Sequence, residues 1–214
     1  MDIQQRTEEV ARRLDERMPQ AIQFLEQRVP FRFLISVILS AQTTDRIVNV
    51  VVKDLFKAYP DARSLAQAKA EDVEEIIYAT GYYRNKAKNI IACAQQLVDR
   101  QVPDTMEELI KLPGVGRKTA SCVLGDIYGK PAIIVDTHFA RVVNRIGLVK
   151  TKDPIKVEKE IASLLHPSKH YRFSMTANLF GREVCHAKKP ECEDCPFSDL
   201  CPSRDAFLKR RAKA

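Results

Sequence analysis

Four of the six cysteines fall within 17 residues near the end of the chain: Cys185, Cys192, Cys195 and Cys201. Thiolates at this density in a chain with no secretory features indicate a metal centre rather than disulfides. Four thiolates suit either tetrahedral zinc or an iron–sulfur cluster. The single C-x2-C pair, with longer arms on both sides and three prolines in the loop, favours the cluster, and zinc stays the alternative. The other two, Cys93 and Cys122, lie on apolar stripes and are interpreted as core residues.

A glycine-containing turn lies between two helical patterns, in the sequence Leu112-Pro-Gly-Val-Gly-Arg-Lys-Thr-Ala120. Two glycines let backbone N–H groups approach a ligand closely, and the following helix adds the positive end of its dipole. This arrangement suits one phosphate of a nucleic-acid backbone, held without reading base sequence. A Gly-x-Gly sequence by itself could simply allow a tight turn between two helices that binds no ligand. The residues on both sides of it, however, are typical of a helix-hairpin-helix. The predicted DNA contacts here are Leu112, Gly114, Val115, Gly116 and Arg117.

Lys118 lies in the first turn of the second helix predicted for this hairpin. The helix N-terminus and the neighbouring Arg117 both disfavour an ammonium there and so favour the neutral amine. A neutral lysine amine can act as a nucleophile and form a Schiff base, whereas a solvated surface charge is the alternative. Asp136, eighteen residues later, is expected at a helix start, where a plain N-cap is the alternative to a catalytic carboxylate. Spacing alone does not show that these two residues meet.

The elements that must position these residues are helical. Apolar side chains recur with helical spacing nearly throughout, and no segment alternates convincingly with a period of two. Ile133–Val135 is expected to be an extended lead into a helix rather than a strand. No glycine- or serine-rich linker interrupts the chain. The sequence therefore predicts an all-α protein of about ten helices with short connections.

The charge of the 214-residue chain is unevenly distributed. Its net charge is +7, yet residues 1–80 carry 11 basic and 13 acidic side chains, whereas residues 81–214 carry 24 and 15. A basic surface attracts polyanions such as nucleic acid, although a solvated surface that only aids solubility is the alternative. No apolar run approaches the roughly 20 residues of a membrane span, and the charged N-terminus is no signal peptide. We expect a soluble intracellular protein.

Taken together, these motifs resemble the endonuclease III family of helix-hairpin-helix DNA glycosylases. The resemblance runs along essentially the whole chain and is carried by Leu39–Asp45, Leu112–Ala120, Val135–His138 and the x6, x2, x5 spacing of the four cysteines. It implies two helical domains with a DNA cleft between them: a six-helix barrel with the hairpin at 21–130, and a discontinuous cluster domain at 1–20 plus 131–214. It also implies a [4Fe–4S] cluster on Cys185, Cys192, Cys195 and Cys201.

The resemblance assigns roles to individual residues. Lys118 matches the lysine that attacks C1′ of a damaged nucleotide flipped out of the duplex, and the resulting Schiff base supports β-elimination on the 3′ side. Asp136 matches the aspartate that deprotonates the lysine or stabilises positive charge on the sugar. Gln42 matches the residue that enters the gap left by the nucleotide, and Tyr82 the wedge from the other side. Asp45 and His138 are predicted to lie at the pocket. Lys188 and Lys189, which lie inside the cysteine loop, are predicted to contact DNA phosphates.

Two departures from the family pattern concern substrate preference. Tyr82 stands where leucine is often found, and Phe173–Asn178 lacks the paired histidines common in the family. Related monofunctional glycosylases usually lack lysine at the position of Lys118, and a non-catalytic DNA-binding module would not require Lys118 together with Asp136. We therefore expect a bifunctional enzyme that acts on oxidised pyrimidines in damaged double-stranded DNA without sequence preference, as a monomer in the bacterial cytoplasm at the nucleoid.

Overall fold

Every regular element in the computed structural model is helical over the residues that the structure describes, 1–20 and 24–211. Two short 3₁₀ turns, Tyr78–Thr80 and Pro167–Lys169, accompany the α-helices. The α-helices are α1 (Ile3–Arg17), α2 (Pro30–Leu39), α3 (Asp45–Ala58), α4 (Ala62–Ala66), α5 (Ala70–Ile77), α6 (Tyr83–Gln96), α7 (Met106–Leu109), α8 (Arg117–Asp126), α9 (Thr137–Arg145), α10 (Pro154–Leu164), α11 (His170–Glu183) and α12 (Arg204–Arg211). The all-α prediction is confirmed, and Ile133–Val135 is extended chain that leads into α9.

Polar side chains define where many of these helices begin. Asp2 and Asp61 each form a capping box, in which the side chain of the N-cap and that of the third helical residue bond to each other's backbone. Thr44 and Asp153 cap α3 and α10 by accepting from backbone N–H groups. The start of each of these helices is therefore determined by a capping residue next to it in the sequence.

Contacts within the chain divide it into two compact units. The first, here called the cysteine unit, comprises Met1–Ile22 together with Pro131–Ala214. The second, the hairpin unit, comprises Gln23–Lys130. The boundary predicted between residues 20 and 21 falls on residues 21–23, which lie outside the described residues. Each unit is described separately below.

The core of the hairpin unit is built around α2. Every residue from 33 to 39 on this helix is buried, and the helix packs against α3, α6 and α8. A helix that is apolar on all sides belongs in the centre of a domain rather than at its surface. Its single interior hydroxyl, on Ser36, donates to the Arg32 carbonyl at 2.7 Å. The longest apolar run in the sequence is therefore the central helix of this unit.

The core of the cysteine unit is built around α11, which packs against α1 and α9. Residues 173–181 of this helix are all buried, and Phe173 meets Phe139 of α9 edge to face, with ring centroids 5.8 Å apart. A Cβ at Gly181 would lie 3.0 Å from both Cβ and the carbonyl oxygen of His138. Glycine at this position lets α11 pass directly against the backbone of α9. The first turn of α9 is thereby held close to α11.

No helix in the described part of the chain is both long enough and apolar enough to span a bilayer.

Candidate functional site

The hairpin turn between α7 and α8 is anchored from inside by two apolar side chains. Leu112 and Val115 are each 6 % exposed, and the Val115 N–H donates to the Leu112 carbonyl at 3.1 Å. Gly114 between them has a φ of +76°, and a Cβ there would lie 3.0 Å from atoms of both Asn89 and Ile38. Glycine is therefore required both by the backbone conformation and by the space available. Because their side chains are buried, Leu112 and Val115 can offer a ligand little besides backbone groups.

Helix α8 begins directly at this turn and presents positive charge to solvent. Its N-cap, Gly116, is extended and has no side chain with which to cap the first N–H groups of the helix. Gly116, Arg117 and Lys118 are all exposed. A ten-residue helix that starts with an arginine and a lysine on an exposed turn is an electrostatically favourable place for an anion.

Lys118 is the second residue of α8. Its side chain is exposed, and no hydrogen bond or ion pair ties its ammonium group to another described residue of the hairpin unit. The amine is thus accessible to an external ligand beside the turn. Exposure is also what a solvated surface lysine would show, so the chemical role of Lys118 rests on its position in the family.

Asp136 lies in the cysteine unit, at the N-cap of α9. Its Oδ1 accepts from the Phe139 N–H at 2.7 Å, and its Oδ2 accepts from the side-chain amide of Asn178 on α11. The N-cap role is therefore confirmed, but it uses one carboxylate oxygen only. Both partners donate a hydrogen bond, so the two oxygens of the carboxylate are each held in place. The residue is half-buried, so the carboxylate remains partly open to solvent.

Asn178 is 7 % exposed, and its Oδ1 has no hydrogen-bond partner among the described residues. Its amide nevertheless donates to Asp136, forty-two positions earlier in the chain. A buried amide oxygen without a partner costs free energy, so the contact that the same side chain makes with Asp136 is the evident reason for its presence in the core.

The two predicted pocket residues lie in different units. His138 is half-buried on α9, where its Nδ1 lies 3.2 Å from Nη2 of Arg141. Arg141 in turn donates to the carbonyls of Gly181, at 2.6 Å, and Cys185, at 2.9 Å. Asp45 is half-buried at the first position of α3 in the hairpin unit.

The two residues expected to enter the duplex share an unusual backbone conformation. Gln42 has a φ of +53° and Tyr82 a φ of +49°, and both side chains are exposed. Tyr82 is 71 % exposed although it is a large aromatic residue. Both residues lie at loop tips of the hairpin unit, on either side of the buried Lys86 side chain that contacts both loops.

The four clustered cysteines surround one cavity in the cysteine unit. Cys185, Cys192, Cys195 and Cys201 all line it, and apolar side chains that include Phe180 and Phe197 complete its wall. Those two rings meet edge to face, with centroids 5.1 Å apart. Among the described residues no three His, Cys, Asp or Glu side chains converge as they would on a single ion. The four cysteines share one cavity as lining residues.

The surroundings of three of these thiols raise their pKa. Burial raises the pKa of Cys195 to about 11 and also raises the pKa of Cys192 and of Cys201, and repulsion between neighbouring thiolates adds to the effect. Backbone hydrogen bonds from Phe197 to Cys195, and from Ser203 and Arg204 to Cys201, oppose this by stabilising the thiolate. Iron bound to the four sulfurs would favour the deprotonated form outright. Four cysteines that line one cavity are a donor set that an iron–sulfur cluster can use.

Arg145 of α9 organises the start of the cysteine loop. Its guanidinium lies 3.4 Å from Sγ of Cys185 and donates to the carbonyls of His186 and Ala187 at 2.7 and 2.8 Å. It also stacks over the Phe207 ring of α12, 4.4 Å from the centroid. The next two residues, Lys188 and Lys189, are exposed. Lys188 and Lys189 therefore follow directly on a stretch of backbone that Arg145 holds in place.

The predicted site residues thus divide between the two units. The hairpin unit holds Gln42, Asp45, Tyr82, the hairpin and Lys118, whereas the cysteine unit holds Asp136, His138, the cysteines and the two loop lysines. Sequence reasoning missed Asn178, Lys86 and Arg145. The available signal was a polar residue on an otherwise buried stripe: Asn178 within α11, and Lys86 four residues before Ile90 on α6.

Comparison with known proteins gives consistent matches over nearly the whole chain. Residues 35–167 match the family described as HhH-GPD superfamily base excision DNA repair protein, and residues 185–201 match the iron–sulfur binding domain of endonuclease III. The chain is 43 % identical over 206 residues to endonuclease III of Synechocystis sp., which covers 94 % of each protein. It is 40 % identical over 209 residues to endonuclease III of Thermotoga maritima, which covers 96 % of this chain and 95 % of that protein.

A solved structure of similar fold is that of a trapped endonuclease III–DNA covalent intermediate in an estranged-adenine complex. It matches this chain with a TM-score of 0.92 at 37 % sequence identity, and the match covers 97 % of this chain and 100 % of that one.

Proposed function

Because the chain belongs to the endonuclease III family, we propose that Lys118 and Asp136 carry out its chemistry on a single damaged nucleotide. The chain is a DNA glycosylase and abasic-site lyase of base excision repair, and its cofactor is a [4Fe–4S] cluster. The observation that supports the assignment of the nucleophile is the exposed Lys118 amine at the start of α8, directly after the hairpin turn.

In the proposed reaction, Nζ of Lys118 attacks C1′ of the damaged nucleotide. The C1′–N bond to the base breaks as the bond to lysine forms, and the base leaves with the bonding electron pair and takes up a proton. Opening of the sugar ring gives a Schiff base between C1′ and the lysine. Loss of a proton from C2′ then breaks the bond between C3′ and its phosphate oxygen, which cleaves the strand on the 3′ side.

Asp136 supports this sequence as a carboxylate. The Phe139 N–H and the Asn178 amide both donate to it, so its orientation is fixed before substrate binds. In that form it accepts the proton that the Lys118 ammonium must lose before attack, or it stabilises the positive charge that develops on the sugar. The proposal that both residues act on one nucleotide rests on family membership.

We assign DNA binding to the hairpin, the two loop tips and the cysteine loop. Backbone groups of Leu112–Gly116 and the start of α8, with Arg117, hold a phosphate. Gln42 and Tyr82 enter the duplex where the nucleotide leaves it, and the space beside the sugar is completed by Asp45 and His138. Lys188 and Lys189 contact further phosphates. None of these groups reads a base edge in an undamaged duplex, so binding is independent of sequence.

Cys185, Cys192, Cys195 and Cys201 are proposed as the cluster ligands. When bound, the cluster supplies four iron–thiolate bonds that fix the conformation of the loop carrying Lys188 and Lys189. Replacing Cys195 by serine is expected to reduce the iron content and the visible absorption of the purified protein, whereas Cys93→Ala in the hairpin-unit core leaves both unchanged. Full iron content in Cys195→Ser would remove Cys195 from the ligand set.

We further propose oxidised pyrimidines as the substrates, a monomer as the active form, and a bacterial cytoplasmic location at the nucleoid. The hairpin unit and the cysteine unit correspond in this proposal to a barrel domain (21–130) and a cluster domain (1–20 plus 131–214).

Single-turnover assays on a duplex with one oxidised pyrimidine test the assignment of the two catalytic residues. Lys118→Ala is expected to release no base and cleave no strand, and Asp136→Asn to release base at least about 100-fold more slowly, in the range for loss of a general base. Both should still bind the duplex. Lys111→Ala, the same charge change at the exposed residue directly before Leu112, is the control and keeps its rate at saturating enzyme. Undiminished base release by Lys118→Ala would refute the assignment.

A further inference from the structure

Two loops of the hairpin unit hold a non-glycine residue in the left-handed backbone region. Gln42 follows α2, and Tyr82 precedes α6. They are the two non-glycine residues with positive φ in the described part of the chain. This conformation costs about 1–2 kcal/mol for an L-residue, so it persists only where the surrounding structure imposes it.

A buried lysine joins these two loops. Nζ of Lys86, on α6, donates to Oγ1 of Thr43 and to the carbonyl of Thr80, both at 2.8 Å. The Thr43 hydroxyl itself donates to the same Thr80 carbonyl. Thr43 is the residue after Gln42, and Thr80 lies two residues before Tyr82. One ammonium group therefore fixes the backbone beside both exposed residues.

The lysine occupies this position at an energetic cost. The residue is only 6 % exposed, and burial lowers the pKa of its ammonium group. Lysine is rarely buried unless it is paired, and here its two partners are neutral oxygens. An apolar side chain would fill the same space on the stripe of α6 without desolvating a charge. An apolar side chain, however, could not form the hydrogen bonds that link the two loops.

We propose that Lys86 is a positioning residue that sets the spacing between Gln42 and Tyr82, so that the two side chains enter the duplex together when the damaged nucleotide is extruded. This inference rests on the proposed function, in which those two residues take the place of the flipped nucleotide. Lys86 itself touches no DNA in this proposal and acts only through the two loops.

The test is extrusion of the nucleotide, measured as the fluorescence rise of 2-aminopurine placed beside an abasic site in a duplex, together with the single-turnover rate of base release. Lys86→Met, which keeps the length of the stem and removes the ammonium, is expected to reduce the extrusion rate by about tenfold, within the coupling range of contacting residues. Its thermal unfolding should change little, because the loss of two hydrogen bonds is offset by the removal of a buried charge. Lys88→Met, an exposed lysine on the same helix, is the matched charge control and extrudes at the wild-type rate.

A double-mutant cycle separates this inference from the function on which it rests. If Lys86 acts only through the loops, adding Lys86→Met to a Gln42→Ala/Tyr82→Ala variant causes no further loss. A full additional tenfold loss in that background, or wild-type extrusion by Lys86→Met alone, overturns the inference. Wild-type extrusion by Gln42→Ala/Tyr82→Ala would instead refute the roles proposed for that pair.

Thr43→Val provides a second variant in case Lys86→Met folds poorly. It removes one acceptor of the ammonium and the threonine donor to Thr80, but leaves the Lys86–Thr80 contact in place. We expect a loss of extrusion in the same direction and smaller than that of Lys86→Met, again absent in the Gln42→Ala/Tyr82→Ala background. Wild-type extrusion by Thr43→Val would count against the proposal.

Discussion

At the scale of single residues, the two proposed catalytic groups are held in opposite ways. Asp136 is fixed through both carboxylate oxygens, by a backbone N–H of its own helix start and by a side-chain amide from α11. Lys118 is exposed, with only its backbone set by the first turn of α8. A fixed base and an accessible nucleophile suit a reaction in which the lysine must form and later release a covalent bond.

Asn178 is expected to matter through Asp136. Asn178→Ala removes a hydrogen bond to a charged group, worth about 1.5–3 kcal/mol, so base release should slow by roughly ten- to a hundredfold. Thr176→Val is the matched control, because Thr176 is buried on the same helix and its hydroxyl bonds within the helix to the Arg172 carbonyl at 3.1 Å. Single-turnover kinetics in the Asp136→Asn background complete the comparison. If Asn178→Ala slows that variant as much as it slows the wild type, its effect does not pass through Asp136.

Residue types and local spacing were enough to propose a nucleophile at Lys118 and a metal centre on the four cysteines, because each hypothesis depends on neighbours close in sequence. The partners of Asp136 and Lys86 could not be predicted in the same way. Asn178 is 42 positions from Asp136, and Thr43 is 43 positions from Lys86. Such contacts depend on how helices pack. The sequence shows only that a polar residue interrupts an apolar stripe.

At the scale of elements, the hairpin is the part of the molecule in which individual glycines have separable roles. Gly114 has a positive φ and is in close contact with Asn89 and Ile38, whereas Gly116 has an ordinary extended conformation with open space around it. The first glycine shapes the turn, and the second leaves the start of α8 uncovered.

Gly114→Ala and Gly116→Ser should therefore differ in stability. Gly114→Ala places a Cβ in the left-handed region and against two neighbours, and it is expected to lower the free energy of unfolding by at least about 1–2 kcal/mol. Gly116→Ser introduces a favourable N-cap residue without strain and should leave stability unchanged or slightly higher. Urea unfolding of both variants measures the difference. Equal midpoints would contradict the anchoring role given to Gly114.

The cysteine loop is expected to contribute electrostatically to DNA binding. Lys188→Ala/Lys189→Ala should weaken binding to damaged duplex and lower the slope of log K against log salt by up to about 1.8, since each phosphate contact contributes about 0.9. Lys53→Ala/Lys57→Ala on α3 is the control, because both lysines are exposed and the charge change is the same. Titrations at four salt concentrations would measure the slopes. An unchanged slope in the loop variant would remove these lysines from the interface.

Some of the helices could be predicted from the sequence, and others could not. Long amphipathic helices such as α3 were evident from their apolar spacing. A short helix starting at Asp104-Thr105 was predicted and corresponds to α7, whereas the five-residue α4 was not predicted, because so few residues complete barely one turn and no periodic pattern. The positive φ of Tyr82 was not predicted either, because nothing in the neighbouring sequence signals a left-handed backbone at a tyrosine.

At the scale of the whole molecule, charge and chemistry are found in the same part of the sequence. The basic excess lies entirely in residues 81–214, which contain the hairpin, Lys118, Asp136 and the cysteine loop. The few glycines of the chain are also unevenly placed. Gly114 and Gly116 are two of only seven, and both lie at the proposed phosphate site. The chain thus combines a general electrostatic attraction for polyanions with one turn that is proposed to hold a phosphate. Composition alone indicated the first property and could not have indicated the second.

The claim on which the rest depends is that Lys118 forms a covalent Schiff base with the DNA. Borohydride reduction during reaction with a labelled duplex that contains one abasic site tests it most directly, because reduction converts the imine into a stable protein–DNA adduct. The wild-type protein and Lys111→Ala should both yield the adduct, peptide mapping should place it on Lys118, and Lys118→Ala should yield none while still binding the duplex. An adduct that survives in Lys118→Ala, or its absence in the wild-type protein, would contradict the account.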